Sequence, residues 1–193
     1  MKSTKKQLII LKIGIFAFLS IYLISCSSSS EKEDSATEIK LSPTDQKIKD
    51  AWDELSPTSQ KILGSFVGII RDKNWGDSID KISENLEKSE SQPDNGISYS
   101  LYFDDTDLNF VDISYLGQSG KLNQIIFDVY LEEPSEVKKI KEEVARFLTN
   151  KYGSFEQKDS EFIWDKNQKT RIKFTDMSTA KDPGLKLEFI EKP

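Results

Sequence analysis

The chain has 193 residues, with 27 Lys and Arg, 33 Asp and Glu, one cysteine and no histidine. This excludes a Ser-His-Asp triad, a Cys-His nucleophile pair, an internal disulfide and a zinc site of the usual ligand set. The net charge of −6 opposes a general nucleic-acid binder, which needs a basic face. The length suits one domain with its own hydrophobic core.

Residues 1–25 read as a targeting segment. Lys2, Lys5 and Lys6 form a charged start. Residues 8–24 are apolar apart from Lys12, Gly14, Ser20 and Tyr22. The uninterrupted stretch 13–24 makes roughly 18 Å of helix, short of a hydrocarbon core of about 30 Å. A secretory apolar region fits better than a membrane span. The competing reading is an uncleaved anchor, which Lys12 opposes by splitting the segment.

The segment ends Leu23-Ile24-Ser25-Cys26. This resembles the lipobox of bacterial lipoproteins. The resemblance implies that the Cys26 thiol receives a diacylglyceryl group, that the peptide is cut before Cys26, and that the new amine is acylated. Two or three acyl chains anchor a protein stably, where one binds marginally. It implies a place in the bacterial cell envelope, and Ser27, where an Asp would signal inner-membrane retention, favours the outer membrane. Residues 27–34 also look like the acidic stretch behind the cysteine in surface-exported lipoproteins of the Bacteroidota. Four basic and no acidic residues precede Cys26, so a cleaved chain would carry −10. Residues 26–41 are too polar to fold and form a tether of roughly 20 Å.

The folded domain, 42–193, opens with a repeat. Ser42-Pro43-Thr44 returns as Ser56-Pro57-Thr58. Serine as N-cap and proline at the first helical position predict two short helices in a lead-in over 42–75. A third helix is expected over 77–88, where Ile79, Ile82 and Leu86 share a face. The period then changes to two, predicting strands over 97–103, 108–116 and 122–131. A helix over 134–152 follows, with Val137, Ile140, Val144, Phe147 and Leu148 on one stripe and Gly153 at its end. Strands over 161–165, 170–175 and 185–190 close the chain. The expected fold is α+β: short helices, then two αβββ units (76–131 and 132–193). Together these form one antiparallel sheet of about six strands with helices on one face. This order resembles the tandem α–β units of the β-lactamase-inhibitor-protein fold.

Candidate chemistry is sparse. Asp105, Asp107 and Asn109 alternate as a calcium loop begins, but Phe110 stands where its glycine belongs and Leu116 where its glutamate belongs. The stretch reads as a turn, and no metal or other cofactor is expected. Ser135 and Lys138 have Ser-x-x-Lys spacing but fall at a helix start. Lys138, Lys139 and Lys141 form a solvated face, with Lys138–Glu142 and Lys139–Glu143 spaced to pair. No pair among the acidic residues is singled out as catalytic. Tyr102, Phe110 and Tyr130 lie out of phase with the inner residues of their strands. They are candidate partner contacts on the outer sheet face, since exposed aromatics anchor interfaces. The competing reading is cross-strand decoration.

The expectation is a non-enzymatic binding or accessory module, lipid-anchored through Cys26, with a protein partner and no nucleic acid. The alternatives are an inhibitor or immunity-type protein against a secreted enzyme, or a carboxylate-dependent hydrolase. The last requires a concave site holding a carboxylate of raised pKa.

Overall fold

Ser42 and Ser56 hold extended backbone before a proline, and each hydroxyl accepts an N–H three residues on, from Asp45 and Ser59. Proline's fixed φ and missing N–H suit the residue that follows. The computed structural model, which describes residues 41–193, starts α1 (Pro43–Asp53) and α2 (Pro57–Leu63) at these two places. The third helix, α3 (Pro134–Tyr152), buries Val137, Ile140, Val144, Phe147 and Leu148. It stops at Gly153, whose φ of +89° only glycine adopts freely.

Eight strands follow the period-two segments and extend them. They are β1 (Glu87–Lys88), β2 (Gly96–Tyr102), β3 (Phe110–Gln118), β4 (Lys121–Tyr130), β5 (Glu156–Lys158), β6 (Glu161–Trp164), β7 (Thr170–Asp176) and β8 (Gly184–Glu191). They form one antiparallel sheet in the order β1-β2-β3-β4-β8-β7-β6-β5. The fold is therefore α+β, with eight strands among the described residues where about six were expected. The two additions, β1 and β5, are short and polar and carry no alternation to read.

The expected helix over 77–88 is absent, so the two units are not alike. A 3-10 turn at Ile79–Lys81 stands there instead. The cause is competition for the main chain. Gly76 N–H donates to Leu122 O, Ile79 N–H to Gly120 O, and Leu122 N–H to Asp77 O. Ser78 bridges Lys121. The β3–β4 turn and the start of β4 thus claim this backbone, including the Asp77 carbonyl that a helix starting there would need for its own first bond. Ser83 and Asn85, weak helix formers, add little resistance.

The inner face of the sheet supplies Ile113, Ile125, Phe127, Ile172, Leu187 and Phe189 to one core. The C-terminal residue of α3, Tyr152, stacks obliquely against Phe189 of β8, with ring centroids 6.2 Å apart. Ile69, Ile70, Ile79 and Ile82, from the irregular segment 64–86, join the same core. That segment is pinned by a buried ion pair. Arg71, 8% exposed, donates to Glu84 at 3.1 Å and to the carbonyls of Lys61 and Ile62 at 2.9 and 3.1 Å. Tyr115 of β3 donates its hydroxyl to the same carboxylate.

Among the described residues no helix is long and apolar enough to cross a membrane. The expected signal segment 1–25, Cys26 and the tether up to residue 40 lie outside the described residues.

Candidate functional site

The strand register sorts side chains by face. Tyr102 pairs with Phe110, and Phe110 with Tyr130. Tyr99, Ile113 and Phe127, three residues along and so of opposite phase, face the core. The three aromatics therefore form a row across the outer face. Phe110 stacks on Tyr130 with centroids 4.6 Å apart and lies 5.5 Å from Tyr102. Tyr102 is 42% exposed and Tyr130 43%.

The row continues past the aromatics. Tyr130 pairs with Gly184, and Met177 N–H donates to Gly184 O at 3.0 Å. Met177 and Leu108, the latter in the β2–β3 loop, are both exposed. Of the six exposed large hydrophobics among the described residues, four (Tyr102, Leu108, Tyr130 and Met177) thus gather at one end of the sheet. Gly184 leaves a notch between Tyr130 and Met177. A cavity of about 220 Å³ opens there, with Pro183, Asp128 and Lys186 in its wall. A Cβ at position 184 would stand 2.8 Å from Val129 O, so glycine alone fits the floor. The sequence reading missed Met177 and Leu108. For Met177, pairing with Gly184 places it on the row, but the long β7–β8 loop hides that register.

The next row is polar. Asp112 of β3 directly faces Asp128 of β4. Asp112 accepts the Ser100 hydroxyl at 2.6 Å, and Lys186 lies 3.5 Å from Asp128. Burial, then Asp128 and Asp112, raises the Tyr130 pKa, so its phenol stays a proton donor beside two carboxylates. The acidic turn before β3 adds charge. Its Asp104 is already spent on its own loop, accepting Thr106 N–H and Oγ1 at 3.0 and 2.6 Å and Asn109 Nδ2 at 2.8 Å. Among the described residues no three of Asp, Glu, His and Cys gather as a metal site.

Other titratable groups act as fasteners. The Lys151 ammonium donates to three carbonyls, Phe66, Gly68 and Ile69, at 2.7–2.9 Å. Burial lowers its pKa to about 8. It borders an open cleft with Trp75, Lys169 and Thr170, and its donors are all in use. The carboxylates of Glu84, Asp104, Glu143, Asp165 and Asp176 all shift downward. A general acid needs the opposite direction.

No family model, curated protein or solved structure matches this chain.

Proposed function

We propose that this protein is a lipid-anchored envelope module that binds a protein partner through the outer face of its sheet, without catalysis of its own. The observation that carries this reading is the gathering of Tyr102, Leu108, Tyr130 and Met177 at one sheet end. Contiguous exposed apolar surface with a polar margin is what interaction sites present. Aromatic anchors beside a notch offer a partner both stacking area and a socket. Asp112 and Asp128 behind the row favour a partner with apolar side chains flanked by Lys or Arg. Among the described residues the five carboxylates with a shifted pKa all move down, which favours a binding role over hydrolysis. Anchoring in the bacterial envelope rests on the likeness of Leu23-Ile24-Ser25-Cys26 to the lipobox, and the preference for the outer membrane on Ser27 in place of an Asp.

The test uses the full-length protein in its native membrane. Metabolic labelling with a palmitate analogue is expected to mark the wild type and not Cys26→Ala. Proximity capture from intact cells is expected to recover a partner that Tyr130→Ala loses at equal abundance. Val67→Ala, at an exposed apolar site away from the row, is expected to keep it. Each interface anchor contributes about 2 kcal/mol or more, roughly a thirtyfold loss of affinity. Equal recovery by Tyr130→Ala and wild type would remove the basis for this reading.

A further inference from the structure

The chain contains three arginines. Arg71 is bound to Glu84, and Arg146 Nε lies 3.6 Å from Glu54. Among the described residues Arg171 has neither kind of partner. Its Nε is buried without a hydrogen bond, one of two such side-chain donors among the described residues, with Trp164 Nε1. That Nε–H forgoes a hydrogen bond, while the rest of the part-exposed guanidinium keeps access to solvent and to solutes.

Arg171 lines a small cavity of about 180 Å³ over the outer side of β5, β6 and β7. Lys158 and Lys166 line it as well, and Lys166 Nζ donates to Ser154 Oγ at 2.7 Å. Its floor is Ile163, buried yet not part of the main core. Two carboxylates, Glu156 and Asp165, complete the wall. Asp165 is already taken, with Lys192 Nζ 2.7 Å from it. None of Arg171, Lys158 and Lys166 makes an ion pair within 4 Å among the described residues. The site therefore holds a local surplus of positive charge on a chain whose net charge is −6. A guanidinium beside two ammonium groups and a hydroxyl matches an anion with several acceptor oxygens.

We propose that Arg171, Lys158 and Lys166 form a binding site for a small tetrahedral oxyanion of the phosphate class, free in solution or carried on a lipid headgroup. The site is separate from the aromatic row and does not depend on it.

Side-chain NMR of the full chain in a zwitterionic detergent, with nitrogen-labelled arginine, tests this directly. Three Nε signals are expected, and Arg71 and Arg146 serve as internal references. Titration with inorganic phosphate is expected to move the Arg171 signal alone and saturably, with Kd on the order of 1 mM. Lys158→Gln is expected to weaken binding about twofold to fivefold. Vesicles of zwitterionic lipid, with and without phosphatidic acid, separate the two sources. A shift with those vesicles and none with free phosphate assigns the lipid headgroup. If the Arg171 signal stays still in both arms, or all three signals drift together with ionic strength, the proposal is overturned.

Discussion

Glu143 shows how much one side chain organises. Its carboxylate accepts Ser56 N–H at 3.1 Å and the hydroxyls of Ser56 and Ser59 at 2.6 Å each. A residue in the middle of α3 thereby caps the start of α2, where the helix dipole favours negative charge. Burial pushes its pKa up, but the hydroxyl bonds of Ser56 and Ser59 outweigh that, and the net shift is down. A lowered folded pKa means stability that is complete above the ordinary glutamate value of about 4.3 and lost as pH falls through the folded value. Glu143→Gln is expected to cost about 1–3 kcal/mol at neutral pH, read from urea denaturation. In strongly acidic buffer the difference from wild type should close, and a difference that persists there would show that the charge is not the source. None of this was legible from local spacing, which paired Glu143 with Lys139. The Lys139 ammonium instead lies 3.7 Å from Glu136. A partner more than eighty residues away leaves no periodic trace.

At the scale of elements, legibility followed how self-contained each element is. α3 carries its own proline start, apolar stripe and glycine stop, and the sequence reading placed it at 134–152, as observed. The inner strands alternate over seven to ten residues and were placed within a residue or two. The segment 77–88 has a helical stripe too, yet its start is bonded to residues 120–122, more than forty positions away, and its end pairs with β2 as β1. The outward phase of Tyr102, Phe110 and Tyr130 was legible for the same reason the strands were. Their stacking, and the notch beside Tyr130, needed the register. That register also sets Asp112 directly against Asp128, an arrangement that costs stability. Asp112→Asn is expected to stabilise the fold by about 0.2–1 kcal/mol, seen as a higher urea midpoint with an unchanged slope. On the proposed function the same change weakens capture of a basic partner. A lower midpoint would mean that the Ser100 bond outweighs the repulsion.

The whole molecule joins two four-stranded meanders through β4 and β8, so its strand order reads the same from either edge. What covers the two halves differs. One half carries α3, a helix of 19 residues with a continuous apolar stripe. The other carries residues 64–86, whose one named element is a single 3-10 turn, followed by the very short β1. Such a segment has few repeating backbone bonds of its own, so its order depends on side-chain ties. Those ties converge on Glu84, which receives Arg71, Lys73 and Tyr115. Burial pushes the Glu84 pKa up, while the Arg71 and Tyr115 bonds and the nearby cations bring it down overall, so the carboxylate stays charged. Arg71 adopts φ of +51° and Asp72 +58°, conformations that non-glycine residues hold only when their surroundings enforce them. Removing Arg71 would leave Glu84 buried with part of its charge unmatched, at a cost of about 3–5 kcal/mol. The loss should not spread evenly, because local opening follows local contacts. Under native conditions, Arg71→Met is expected to speed amide hydrogen exchange across 64–86 and β1. Exchange in α3 and β8 should stay near wild-type rates. If α3 and β8 accelerate to the same degree, the irregular cover is as tightly coupled to the sheet as the helix is. The two halves would then be equal in stability despite their unlike construction.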